Sequence, residues 1–327
     1  MNVNMKTPQI LIISNKSDIT TDFVIKQLAD MGVSFYRFNT EEMTVSVSIT
    51  LDYESHRFTL YDSILDSTYS LLDFKAVYYR RPELPNFIGG DISASDRRYM
   101  QTEVAYTLEG IYSLLHDAFW ISPVWAIRKA ENKLMQLQVA QQLGFVIPLS
   151  IVSNVPLHVK EFLQQYENDC IIKPIHNGHI SDSHQPRVVF TNLLDFKPSD
   201  DQIKASPNYI QKQIHKKKDI RVTVVGNTVF AAAITSQETL ETKVDWRKGE
   251  QMLHHEAILL PAEVSERCVA LVQQLGLQYG AIDLILDAND CYTFLEINPN
   301  GQWAWIENLT HLPISKEIAN LLIRHTK

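Results

Sequence analysis

The stretch YTFLEINPNGQWAWIE, residues 292–307, constrains this chain more than any other. It opens as an apolar strand yet places Glu296 and Asn298 two positions apart, a spacing that sends both side chains out of one strand face. Just upstream, GAIDLIL reads as a second strand, parted from the first by the turn-forming residues Asp287, Ala288, Asn289 and Asp290. If the two runs pair antiparallel around an even-numbered loop, Asp283 joins Glu296 and Asn298 on that face. Two bare carboxylates about 4 Å apart repel by about 4 kcal/mol at an intermediate effective dielectric, so keeping both ionised requires a cation. Mg2+ suits the set, because it takes hard oxygen ligands, commonly one or two carboxylates, and completes its octahedron with phosphate oxygens and water. A solvated hairpin with an acidic rim is the alternative. The polar pair on the inner face of an otherwise apolar strand, followed by Pro299 and Gly301, favours the metal.

Size and charge limit the remaining choices. A chain of 327 residues suffices for two or three modest domains, and 45% hydrophobic with 21% charged residues fits a soluble globular protein. The formal net charge of -8 argues against nucleic acid or an anionic membrane as the main partner. Cys170, Cys268 and Cys291 stand far apart without CxxC spacing, as small buried residues of a reducing compartment do, and suggest neither a disulfide frame nor a zinc site. The opening MNVNMKTPQ lacks the apolar core of a signal peptide and no run approaches membrane-spanning length, so a cytoplasmic location is expected.

In chain order, ILIIS reads as a buried strand, residues 18–21 as a helix cap, residues 23–31 as a helix ended by Gly32, and VSFYRF as a second strand. This βαβ opening predicts a parallel sheet, but the first turn, SNKSDIT, has no glycine cluster for a dinucleotide. Residues 45–51 and 58–61 suggest a hairpin, and residues 76–79 a strand that ends on Arg80 and Arg81, two cations able to grip a carboxylate or phosphate. For each arginine taken singly, a surface ion pair or a solvated position is the competing reading. A long amphipathic helix is expected over residues 95–116, and residues 120–123 close the first domain. The next helix, residues 130–143, carries Lys133 near its start, where a cation opposes the helix dipole and a nearby phosphate would account for it.

The buried run CIIKP delivers Lys173 at its edge, and a lysine there needs a partner, nucleotide phosphate being a good one. The polar segment IHNGHISDSHQPR that follows has the composition of a flap, its histidines His176, His179 and His184 lacking metal spacing and reading as solvated. After NYIQKQI, the lysines Lys216, Lys217 and Lys218 read as a solvated turn. In DIRVTVV, Arg221 alternates against Ile220, Val222 and Val224 and so faces away from them. DWRKG, with Asp245 and Arg247, is expected in a loop over the same cleft, and helices are expected over residues 263–275 and 313–325.

The ordered set Lys133, Lys173, QKQI, DIR with Arg221, Asp283, Glu296 and Asn298 resembles the ATP-grasp superfamily from about residue 125 onward. Within it, YYRRP, VDWRKG, YGAID and FLEINPNGQW resemble the microviridin-type peptide macrocyclases that make graspetides, across essentially the whole chain. The resemblance implies an α/β protein: a parallel-sheet pre-ATP-grasp domain over residues 1–124, a central ATP-grasp subdomain over 125–206 and a C-terminal one over 207–327. It implies ATP between the last two, with Lys133 and Lys173 on the phosphates, the backbone of Gln211, Lys212, Gln213 and Ile214 at adenine, and Asp219 at the ribose. It also implies Mg2+ on Asp283, Glu296 and Asn298, with Arg221, Arg247, Arg80 and Arg81 as catalytic cations. The implied activity is phosphorylation of Asp or Glu carboxylates in a precursor peptide with a leader and a Thr/Glu/Asp-rich core. Thr or Ser hydroxyls or Lys amines then attack to close rings. A homodimer is expected on the same ground. The alternatives are an intermolecular ligase that adds an amino acid to a peptide or protein carboxylate, and a nucleotide-binding regulatory protein without turnover.

Overall fold

A computed structural model describes residues 7–87, 92–176, 178–180, 187–237 and 253–326. The chain opens with strand β1 (Ile10–Ser14), helix α1 (Ile19–Asp30) and strand β2 (Phe35–Asn39). A three-stranded meander follows, β3 (Val47–Asp52), β4 (Arg57–Asp62) and β5 (Ser67–Ser70), before β6 (Ala76–Tyr79), helix α2 (Ala94–Leu114) and β7 (Phe119–Ile121). Strands pair in the order β2-β1-β6-β7, all parallel. All five residues of β1 are buried, as a continuous apolar run in the middle of a parallel sheet should be. The Asp18 side chain accepts from the Thr20 N–H and caps α1, and Gly32 takes a positive φ just beyond its end.

Helix α4 (Lys133–Gln142) is the one expected over residues 130–143, and a further helix, α3 (Val124–Ala130), precedes it. The break between them has a local cause: the Asn132 side chain accepts from the Leu134 and Met135 N–H groups, so a new helix starts at Lys133. A second sheet then forms in the order β12-β9-β13-β8 from β8 (Ser150–Ser153), β9 (Cys170–Lys173), β12 (Asn192–Leu193) and β13 (Asn208–Lys212). Helix α5 (Pro156–Gln165) follows β8, the short pair β10 (His179–Ile180) and β11 (Arg187–Val188) follows β9, and α6 (Asp200–Lys204) precedes β13.

The third sheet runs β16-β15-β14-β17-β18, antiparallel throughout: β14 (Lys216–Val225), β15 (Thr228–Ile234), β16 (His255–Ile258), β17 (Tyr279–Asp287) and β18 (Tyr292–Asn298). Helix α7 (Ala262–Gln274) covers one face, burying Val264, Cys268, Leu271 and Val272 against Ile220, Val222 and Val224. Helices α8 (Ala304–Thr310) and α9 (Ile314–Arg324) end the chain. One apolar core joins Ile10, Ile12, Val24 and Leu28 of the opening unit to Ala281, Trp303, Ile318 and Leu322, so the closing helix packs on the opening sheet. Among the described residues no helix is long and apolar enough to cross a membrane.

Candidate active site

Strand pairing brings the acidic residues together, by a route other than the one expected. The last ladder pair before the β17–β18 turn is Leu286 with Tyr292, leaving five residues between them, an odd number. Continued unchanged, that register would set Asp283 opposite Leu295 and send Glu296 to the side of Ile282, in the core. A bulge intervenes: Leu284 pairs with Phe294 and Asp283 with Glu296, leaving Leu295 as the extra residue. Asp283, Glu296 and Asn298 thereby share a face, while Ile297 turns into the core beside Ile282. The even-numbered loop is thus corrected to an odd loop plus one bulged residue.

That face floors a cleft of about 670 Å³ between the second and third sheets. Lys133, Lys173, Gln211, Lys212, Gln213, Ile214, Asp219, Asp283, Glu296 and Asn298 all line it. Each carboxylate of the pair has a cation beside it among the described residues. Lys133 Nζ lies 3.0 Å from Glu296 Oε2 and also donates to the Pro174 carbonyl, while Arg221 Nη1 lies 2.8 Å from Asp283 Oδ1. Arg221 faces away from Ile220, Val222 and Val224, as its alternation predicts. Burial works against its charge, but Asp283, Tyr279 and Glu296 together outweigh that and raise the guanidinium above its ordinary pKa. On the opposite wall, Lys173 Nζ stands 4.9 Å from the centre of the Tyr209 ring, a cation–π contact set by the register of β13 on β9. The buried Gln211 side chain donates to Ser150 Oγ and Tyr209 Oη and leaves its own Oε1 without a partner among the described residues.

Lys216 corrects the sequence reading of a solvated turn. It is 9% exposed, lines the cleft and pairs with Asp219 at 2.7 Å. A second bulge explains this: Lys216 pairs with Asp287 and Lys218 with Leu286, so Lys217 is the extra residue and Lys216 turns onto the face of Asp219. Burial pushes the Asp219 carboxyl up, with Lys216 and Ser236 pulling the other way. Sequence reading also passed over Glu131, which lines the cleft, and Gln136 and Tyr209, buried polar groups that line or border it. His176 is an exposed residue at the rim; Asp245, Arg247 and His184 lie outside the described residues.

The two arginines after β6 part company. Arg80 is buried, its Nε 2.9 Å from Asp18 Oδ2 but out of line for a hydrogen bond, and its Nη1 donates to the Gly301 carbonyl at 2.9 Å. Tyr279 Oη donates to the same carbonyl at 2.8 Å, and Arg221 Nη2 to that of Gln302 at 3.2 Å. The loop after the acidic pair is therefore held from both the opening and closing units. Arg81 is exposed, has φ 45°, and its carbonyl accepts from Asn15 Nδ2 at 2.6 Å.

Residues 9–128 match the family model described as the MvdD pre-ATP grasp domain, and residues 130–322 match the RimK-like ATP-grasp domain. The chain belongs to the ATP-grasp family. Among solved structures, a Chryseobacterium gregarium RiPP-associated ATP-grasp ligase, in complex with ADP and a leader and core peptide, is 31% identical with TM-score 0.88. The match covers 97% of each chain. Macrocyclase MdnC from Microcystis aeruginosa MRC, bound with precursor peptide MdnA, is 30% identical over 96% of this chain and 99% of its own, with TM-score 0.83. Macrocyclase MdnB from the same organism is 26% identical over 96% and 98%, with TM-score 0.77. No curated protein matches the sequence.

ATP-grasp enzymes use ATP and Mg2+, and this ATP-grasp ligase has a donor set that fits both. Among the described residues no three His, Cys, Asp or Glu side chains cluster, and the oxygen donors that share this face are two carboxylates and an amide. Such a partial oxygen shell leaves positions for phosphate and water, as Mg2+ prefers. The amide oxygen of Asn298 accepts from the Asn300 N–H at 3.0 Å, which orients it.

Proposed function

We propose that this chain is an ATP-dependent macrocyclase of a ribosomally made precursor peptide with a leader and a Thr/Glu/Asp-rich core. A carboxylate does not condense with an alcohol in water until its oxygen becomes a better leaving group. Transfer of the ATP γ-phosphoryl group to an Asp or Glu side chain of the core gives an acyl phosphate and ADP. A Thr or Ser hydroxyl, or a Lys amine, of the same peptide then attacks the acyl carbon, forming an ester or amide and expelling phosphate. Mg2+ on Asp283, Glu296 and Asn298 would neutralise charge on the moving phosphoryl group.

The chain's own groups take the remaining roles. Of the residues that line the cleft, Lys133 and Lys173 would hold the phosphates, the backbone of Gln211, Lys212, Gln213 and Ile214 would hold adenine, and Asp219 would hold the ribose. Arg221 orients Asp283, Arg80 orients the loop after Asn298, and the exposed Arg81 receives the substrate carboxylate. Arg247 is assigned to the same anionic centre on resemblance alone. The proposal extends to a homodimer in the cytoplasm.

The observation that carries the reading is the pair Asp283 and Glu296 lining one cleft with Lys173 and with Lys133 beside Glu296. Its test is incubation of the purified chain with ATP, Mg2+ and candidate precursors, followed by mass spectrometry. Loss of one water per ring with matching ADP release is expected. A mass gain of one amino acid would mean an intermolecular ligase, and no peptide-stimulated ADP release would mean a protein without turnover. Light scattering tests the dimer.

A further inference from the structure

Strand β18 lies at the edge of its sheet: one side pairs with β17, and along the other the described residues form only an isolated bridge, Val146 with Thr293. Two elements cover that edge. The Phe294 N–H donates to the Val146 carbonyl at 2.8 Å. Farther along, the Gln136 side chain of α4 acts as a missing strand would. Its Oε1 accepts from the Ile297 N–H at 3.0 Å, and its Nε2 donates to the Ile297 carbonyl at 2.8 Å and to the Ala130 carbonyl at 2.7 Å. Gln136 is 2% exposed, so these bonds do not compete with water.

Ile297 is the residue between Glu296 and Asn298. In a strand, the outward directions of residues on either side depend on the rotation of the residue between them. Two in-plane hydrogen bonds to its peptide groups fix that rotation, and its side chain, 2% exposed in the core, fixes its depth. One helical turn earlier on α4, Lys133 reaches Glu296. The Ala130 bond ties in the end of α3, so α3, α4 and β18 meet at one amide.

We infer that Gln136 is a positioning residue that sets Glu296 and Asn298 at the separation a divalent ion requires, without touching ion or substrate. The inference rests on the reading that this pair holds Mg2+, and the experiment separates the two. Mn2+, another oxygen-preferring divalent ion, is titrated into the full chain with a non-hydrolysable ATP analogue and followed by electron paramagnetic resonance. If the wild type binds no Mn2+, or Glu296→Gln binds it as well as wild type, the metal reading and this inference fall together. Given wild-type binding, Gln136→Leu is expected to weaken Mn2+ by about 10–100-fold, as loss of an outer-shell partner does, with metal-free nucleotide affinity unchanged.

Gln136→Glu supplies the readout that general destabilisation does not move. Its carboxylate still accepts from the Ile297 N–H but repels the two carbonyl oxygens, and those oxygens together with burial hold its pKa up. Once protonated it donates again, so its Mn2+ deficit relative to wild type is expected to shrink as pH falls from about 8.5 to about 6. Ala140→Gly, buried one turn further along the same helix and taking no part in the hydrogen bonds to Ile297, lowers stability and is expected to leave Mn2+ affinity alone. Wild-type Mn2+ affinity in a folded Gln136→Glu variant across that pH range would overturn the inference, as would an equal loss in Ala140→Gly.

Discussion

Two ion-pair arrangements can be compared, one bound to the loop 299–302 and one on the strand that leads into it, and they differ in what they can release. On the opening side, Arg80 and Asp18 have side chains only 1% and 6% exposed, and Asp18 also accepts from Ser14, Thr20 and Thr21. On the closing side, the Lys133 and Glu296 side chains are 20% and 18% exposed and look into the cleft. A pair shut away from water has no ligand to exchange with, so the first arrangement braces the loop. A pair at the wall of a cleft can trade partners: under the proposed function, Lys133 would move to a phosphate and leave Glu296 for a cation. Adjacent arginines in YYRRP thus serve different ends, Arg80 inward and Arg81 outward.

Breaking the closed pair should have the largest effect. Arg80→Met strands the Asp18 carboxylate in the interior and is expected to lower unfolding free energy by about 3–5 kcal/mol in a denaturant titration. A cost under about 1 kcal/mol would place Arg80 among surface pairs instead. Glu296→Gln attacks the open pair. It should reduce peptide-dependent ADP release by about 100-fold, equivalent to about 2.7 kcal/mol, while the denaturation midpoint barely moves. If stability collapsed and turnover persisted, the contrast between the two pairs would be lost.

Gly301 accepts from Arg80 through its carbonyl, and a Cβ there would come 2.6 Å from Ala281 Cβ and 2.9 Å from Arg221 Nη2. Gly301→Ala should therefore cost about 1–3 kcal/mol from overpacking and also weaken turnover by displacing Arg221 from Asp283. Kinetic and equilibrium measurements on the one variant test both halves. The smallest effect is expected next to Arg80. Arg81 holds φ 45°, so Arg81→Gly relieves backbone strain and should leave stability unchanged or raise it by up to about 1 kcal/mol, while peptide-dependent turnover falls. Normal turnover in that variant would remove Arg81 from the site.

Much of this was legible because it is local. The apolar run of β1, the cap at Asp18 and the alternation that turns Arg221 away from Ile220 and Val222 each depend on neighbours within a few positions. The acidic face was legible by spacing, although the loop parity assumed for it was not the one formed. Lys216 was misread because its face depends on an extra residue, Lys217, whose place is decided by pairing with β17. Arg80 was legible as a notable cation, but its partners Asp18 and Gly301 lie far off in the chain.

Sequence alone determined which residues could serve: the oxygen donors, the lysines, the order of strands and helices, and the family those motifs announce. Tertiary structure decided which way they face. A strand's period of two carries direction only until a bulge reverses it, and the bulges at Lys217 and Leu295 are set by the partner strand. Gln136 meets Ile297 across 161 positions, a contact that no local pattern encodes because folding alone brings an amide to a strand edge that would otherwise stay unpaired.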